Sequence, residues 1–158
     1  MKEKRSLGVQ LVVIATIYLV AALILGFVMG VSGNHSLFSV HSHLGLLGWT
    51  TMALAGLVYI VIPSCEKSPL ARVHFWLHNV CLPVMMAGLA AVTLGDARLE
   101  PAIGVGSLLV VLALLAFAVN VTRNGRVAAG TERPMGLGAW PSTTKCTSVV
   151  ASSECRNA

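Results

Sequence analysis

The sequence predicts an all-α membrane protein, an up-down bundle of four transmembrane helices with both termini in the cytoplasm. Of its 158 residues, 56% are hydrophobic and 11% are charged, whereas a soluble domain carries about 25% charged residues. The apolar residues form four uncharged runs, each with about the 20 residues that a helix needs to cross the hydrocarbon layer. These runs cover residues 11–31, 44–62, 75–94 and 102–121.

Helices are expected in these runs because the runs are continuously apolar and do not alternate as the strands of a membrane β-barrel would. A helix also satisfies its own backbone hydrogen bonds in lipid. The loops between the runs are short, so consecutive helices are antiparallel neighbours. Residues 1–121 are therefore expected to form one transmembrane domain. Residues 122–158 are rich in Gly, Pro, Ser and Thr and are predicted to form a polar, disordered cytoplasmic tail.

The positive charges predict the orientation of the bundle. Ten of the 11 Lys and Arg residues precede the first run, separate the second and third runs, or follow the fourth, and Arg98 alone lies in the third loop. By the positive-inside rule, both termini face the cytoplasm. The net charge of +5 is thus a topology signal, and membrane lipid is the expected partner, with no nucleic acid.

The histidines are the ionisable residues at or within the boundaries of the apolar runs. Such groups are costly in a membrane, so each one is a functional hypothesis, and imidazole is a common ligand of metals and heme iron. His41 and His43 are two residues apart, which corresponds to about 200° on a helix, so they should point to opposite sides of the second span. Their spacing alone is compatible with headgroup contacts or with two separate ligands. The five are His35, His41, His43, His74 and His78.

The residues that follow His41 and His43 suggest a family. The stretch HSHLGLLGW over residues 41–49, followed by Gly56, Tyr59 and Pro63, resembles helix ten of the heme–copper oxidase catalytic subunit. The likeness is to the cbb-type oxidases and the nitric oxide reductases. The start of the third run, VHFWL, resembles helix eleven, which by order implies that the outer two spans are similar to helices nine and twelve.

This resemblance implies a b-type heme protein of the bacterial plasma membrane, acting in electron transfer or in the handling of O2 or NO. It implies that His41 ligates a high-spin heme and His43 a low-spin heme, and it places Gly45, Gly48 and Trp49 beside the cofactor. The two glycines leave a shallow strip where a macrocycle or a helix could approach. The family's copper ligands are missing from the sequence, so a complete terminal oxidase is not expected.

His74 and His78 lie at positions i and i+4, on one face of the third span. They are expected either to anchor the helix end at headgroup level or to contact a second heme or ligand on the inner side. At about 1.5 Å per residue, their level should differ from that of His43 by roughly 20 Å. A sixth iron ligand would then come from His35, from His43 of a second copy in a C2 dimer, or from a small molecule.

Two alternatives stay open at this point. One is a copper or zinc site on the outer surface made by His35, His41 and His43, because imidazole clusters suit these metals. The other is a non-catalytic accessory subunit that packs against a larger respiratory complex through its glycine faces.

Overall fold

The structure, a computed structural model, describes residues 6–131, with side chains to residue 125. It contains four helices that are long and apolar enough to cross a membrane, which confirms the predicted four-span helical bundle. Most of the predicted tail, residues 132–158, lies outside the described residues. The four spans are Leu7–Ser32, Phe38–Val61, Pro69–Thr93 and Ala97–Gly125.

The first span is a single helix and the second is interrupted. Helix α1 (Leu7–Ser32) follows Ser6, whose hydroxyl accepts the Val9 N–H, and it ends at Gly33, whose φ of 67° is the left-handed conformation that favours glycine. The second span consists of α2, a π-helical segment and α3. Their bounds are Phe38–His43, Leu44–Thr51 and Met52–Val61.

The remaining elements are α4 (Pro63–Glu66), α5 (Pro69–Thr93), a short 3-10 turn (Ala97–Leu99) and α6 (Glu100–Thr131). Three predicted boundaries are wrong by six residues or more. The second span begins at Phe38 and not at Leu44, so His41 and His43 lie within it. Helix α5 begins before Phe75, because Ser68 caps its first turn and Pro69 occupies the position where a missing N–H costs nothing. Helix α6 continues through Thr131, so residues 122–131 are helical and do not belong to an irregular tail.

The helices pack as two pairs, α1 along the second span and α5 along α6. We call the end of the bundle near Ser6 and Cys65 the base, and the end near Gly33 the top; the positive charges predict that the base faces the cytoplasm. Near the base, a Cβ added to Gly8 or to Gly56 would lie 2.7 or 2.8 Å from the carbonyl oxygen of the other residue. The backbones of α1 and α3 therefore touch at this crossing.

The π-helical segment is unusual in its length, since π-helices mostly occur as single-turn bulges and often at functional sites. Its threonine hydroxyls reinforce the wide turn: Thr50 donates to the Gly45 carbonyl at 3.0 Å and Thr51 to the Leu46 carbonyl at 2.8 Å, both five residues back. The segment begins directly after His43 and contains most of the glycine and tryptophan motif.

Candidate functional site

Four of the five histidines lie inside the spans and form two pairs. The surface pair, His41 and His43, lies at the end of α2 near the top of the bundle. The buried pair, His74 and His78, lies on one face of α5. Their environments differ, and the difference determines what each pair can bind.

His43 is exposed on the outward face of the second span. Its Nδ1 lies 2.7 Å from the Ser39 carbonyl oxygen. Because a carbonyl only accepts, Nδ1 carries the proton, and the neutral ring has its lone pair on Nε2. Ligating histidines commonly have this arrangement, with the second ring nitrogen held by a carbonyl. His43 is therefore oriented to offer one nitrogen to a ligand outside the bundle.

His41 points the other way, towards α1, as the spacing predicted. Its Nδ1 lies 3.0 Å from the Ala22 carbonyl oxygen, so this side chain links α2 to α1. Gly26 makes the approach possible, because a Cβ there would lie 2.9 Å from the imidazole Cε1. His41 is half-buried and packs against a helix. It is less suited than His43 to receive a large cofactor.

The histidines near the top do not form a metal cluster. His35 is exposed in the first loop, and its Nδ1 bonds to the Gly33 carbonyl oxygen. Each of the three side chains thus has its own backbone partner. Among residues 6–131 no group of three or more His, Cys, Asp or Glu side chains could hold a metal ion. The geometry does not support the outer copper or zinc site of His35, His41 and His43.

Gly45, Gly48 and Trp49, the motif residues that follow the surface pair, differ in their surroundings. Nothing lies within 4 Å of a Cβ added to Gly45, whereas one added to Gly48 would lie 2.7 Å from the Tyr18 ring. Gly48 therefore admits a side chain of α1, and Gly45 alone leaves open space. Trp49 is half-buried and lines an apolar surface groove of about 380 Å³, which contains no histidine. The other lining residues are Val12, Thr50, Ala53, Leu54 and Leu57.

The buried pair lies in the core of the bundle, since both side chains are 0% exposed. They therefore do not anchor the helix end at headgroup level, which was one of the two expectations. Their ring centroids are 5.5 Å apart and the rings are nearly perpendicular, at 82°. The Phe117 ring of α6 packs on His74 with centroids 5.1 Å apart. A heme would have to displace this packing to reach His74.

Each buried histidine has one bonded and one unbonded nitrogen. The Tyr59 hydroxyl lies 3.2 Å from His74 Nδ1, and His78 Nε2 lies 3.2 Å from the Leu47 carbonyl oxygen. His74 Nε2 and His78 Nδ1 are buried without a hydrogen-bond partner in the described part of the chain. Such atoms are rare and costly, because no water compensates for the lost bond.

His78 has a structural role at the end of the π-helical segment, where it bonds to the Leu47 carbonyl. In a π-helix this oxygen would accept from the residue five positions later, Met52. The Met52 N–H instead bonds to the Trp49 carbonyl. His78 supplies a donor to Leu47 in a region where lipid offers none.

The predicted separation of roughly 20 Å between His78 and His43 is wrong. His78 bonds to Leu47, which is four residues from His43, or about 6 Å along a helix axis. The error arose because α5 begins at Pro69 and so carries His78 deeper into the bundle than a start at Phe75 would. The two pairs nevertheless remain on different sides of the second span, since His43 is exposed and His78 is buried.

Asn120 is a core residue that the sequence analysis missed. It is 0% exposed, donates to the Cys65 carbonyl at 2.9 Å and lies against the Tyr59 hydroxyl. Its signal was present, because a lone amide in an apolar run needs a partner. Cys65 itself lies at the base, outside the spans, and burial raises the pKa of its thiol. It is therefore an inert structural cysteine.

No protein-family model matches the chain, and comparisons with curated proteins and with solved structures find no match. The resemblance to the heme–copper oxidases therefore stays a prediction.

Proposed function

We propose that the chain is a b-type heme-binding membrane protein with His43 as the principal iron ligand. The orientation of His43 supports this proposal: its Nδ1–H is held by the Ser39 carbonyl and its ring is exposed. Gly45 leaves open space on the same span. The likeness of residues 41–49 to the oxidase helix supports it independently.

Each chain offers one imidazole, that of His43, that is free to bind a heme iron. His41 faces α1 and the buried pair is enclosed, so neither can complete the coordination of an iron atom at His43. We therefore place the heme on the outward surface of the second span, with His43 of a second copy as the sixth ligand. A C2 dimer brings identical surfaces face to face and so presents the same imidazole twice.

A bound heme b would supply a one-electron redox couple and, wherever a coordination position is open, a site for O2 or NO. The protein residues would bind and orient it: Ser39 fixes the tautomer of His43, and the apolar outward face excludes water. In this proposal the chain works in the bacterial plasma membrane, as an electron carrier or gas-binding subunit of respiration. It does not require a copper centre.

The test is the optical spectrum of the full chain purified in detergent with heme supplied. We expect Soret and α bands and one heme for two chains. His43→Ala should remove these bands, whereas Val84→Ala, on the exposed face of α5, should leave them unchanged. A spectrum of the reduced protein with carbon monoxide separates a six-coordinate carrier from an open gas site.

Other results would change the assignment in defined ways. Loss of the six-coordinate spectrum in His35→Ala would move the sixth ligand to the first loop. No heme bands in the wild-type chain, or unchanged bands in His43→Ala, would end the proposal. A heme-free chain that co-purifies with a larger respiratory complex would favour the accessory subunit instead.

A further inference from the structure

The buried pair has two unbonded nitrogens whose chemistry is complementary. His78 Nε2 must donate to the Leu47 carbonyl, so the free Nδ1 of the neutral ring is an acceptor. If the Tyr59 hydroxyl donates to His74 Nδ1, the free Nε2 of His74 carries a proton. One donor and one acceptor are then left on adjacent turns of α5.

A direct bond between these two nitrogens is the simplest way to satisfy both. Each atom exposes less than 1 Å², so the structure has no water-sized space beside them. The ring centroids are 5.5 Å apart, and each nitrogen lies about one bond length from its ring centre. A hydrogen bond of about 3 Å between nitrogens therefore needs only a reorientation of the rings.

We propose that Tyr59, His74 and His78 form a proton relay that leads from the base of the bundle to His78. Chains of histidines inside membrane proteins commonly carry protons. The ring centroids of Tyr59 and His74 are 5.8 Å apart, and those of His74 and His78 are 5.5 Å apart. The relay therefore extends over at most about 11 Å, which is roughly a third of a hydrocarbon layer about 30 Å thick.

The polar path continues towards the base through two amides. Asn120 lies against the Tyr59 hydroxyl, and the half-buried Asn124 donates to the Asn120 side-chain oxygen at 2.6 Å. The amides do not carry the proton. They keep this end of α6 polar, so that a hydronium ion can approach Tyr59 during a local opening.

The transfer conserves every proton. The Tyr59 hydroxyl gives its proton to His74 Nδ1, and the phenol oxygen takes one from hydronium at the base, which leaves water. His74 gives its Nε2 proton to His78 Nδ1 and returns to the neutral state. His78 then carries both ring protons, with Nε2–H still on the Leu47 carbonyl.

The loaded state should be short-lived. The titratable groups that face the pair from neighbouring elements are Tyr59 of α3 and, beyond it, the Cys65 thiol of α4. No carboxylate of the described residues contacts either imidazole, and a charge in the membrane interior is expensive. His78 thus holds the proton briefly and returns it to His74 along the same path.

The experiment is solid-state NMR of the full, heme-free chain in lipid bilayers, with nitrogen-15 in its histidines. We expect a through-bond coupling between His74 Nε2 and His78 Nδ1, which only a direct hydrogen bond produces. We also expect Tyr59→Phe to slow the gain and loss of the proton at His78 Nδ1, seen in the exchange broadening of its nitrogen-15 signal, by about 100-fold, as removal of a positioned proton donor does. Tyr18→Phe, which removes the hydroxyl of the tyrosine whose ring packs on Gly48, is the matched control and should not change this rate.

Two results would overturn the relay. One is the absence of the coupling in the wild-type chain when both rings are ordered, a measurement that needs no variant to fold. The other is a His78 exchange rate that is the same in Tyr59→Phe and in the wild type. Neither measurement uses heme, so the relay and the heme proposal succeed or fail separately.

Discussion

His41 and His43 near the top, and His74 and His78 in the core, present the same side chain in opposite settings. The surface pair has both Nδ1 atoms bonded to backbone carbonyls, and at least one ring is open to the outside. The buried pair is fully enclosed and keeps one unbonded nitrogen on each ring. Spacing in the sequence does not reveal this difference, because it depends on where each helix begins.

The difference suits the two pairs to different roles. An outward imidazole whose tautomer is fixed is suited to a ligand that approaches from lipid or from another subunit. An enclosed imidazole contributes to stability and to proton transfer between neighbours. If equivalent mutations in the two pairs had equal effects, this distinction would be wrong.

The largest effect on stability is expected for His78→Ala. It leaves the Leu47 carbonyl without its donor and creates a cavity in the core, which should lower the free energy of unfolding by about 2–4 kcal/mol. His43→Ala, measured on the heme-free chain, should change it by no more than about 0.5 kcal/mol. Reversible unfolding in mixed detergent micelles measures both. Equal losses would mean that the two pairs do not differ as described.

An intermediate effect is expected for Gly48→Ala, close to the surface pair. The added Cβ would lie 2.7 Å from the Tyr18 ring, and overpacking of this kind costs about 1–3 kcal/mol. Gly45→Ala is the matched control, because nothing lies within 4 Å of its Cβ. Alanine is also the better helix former, so Gly45→Ala should be neutral or stabilising. The same unfolding assay applies, and a loss in Gly45→Ala as large as in Gly48→Ala would contradict the assigned packing.

The smallest effect is expected for His41→Ala. Loss of the bond from Nδ1–H to the Ala22 carbonyl should cost about 1 kcal/mol, because His41 is only half-buried. Ser42→Ala, next to it, is the control and should stay within about 0.5 kcal/mol of the wild type. If His41→Ala lowered the free energy of unfolding by more than His78→Ala, the surface pair would contribute more to stability than the buried pair, contrary to this prediction.

Much of the fold could be predicted, because four apolar runs of membrane-spanning length leave few alternatives. The opposite directions of His41 and His43 also followed from helix geometry. The depth of His78 did not, although Ser68 and Pro69 form a recognisable helix start. The apolar pattern predicts a helix that begins at Phe75, whereas the helix begins at Pro69, in the more polar residues before the apolar run.

The partners of the candidate site were harder to predict. No local rule connects Tyr59 with His74, or Asn120 with the Cys65 carbonyl, because these contacts join different helices. The π-helical segment is also invisible in the apolar pattern. It places the Leu47 carbonyl within reach of His78, and that contact depends on both the second and the third span.

Glu66 has a consequence for how the protein is made. Its carboxylate accepts the N–H of Leu7, the first residue of α1, where a negative charge complements the helix dipole. Glu66 is synthesised only after the second span, so the Leu7 N–H gains this acceptor only when the ribosome has made both spans. The first two spans can then close into a hairpin before α5 and α6 enter the membrane. This contact thus couples the first turn of α1 to the completion of the second span during synthesis.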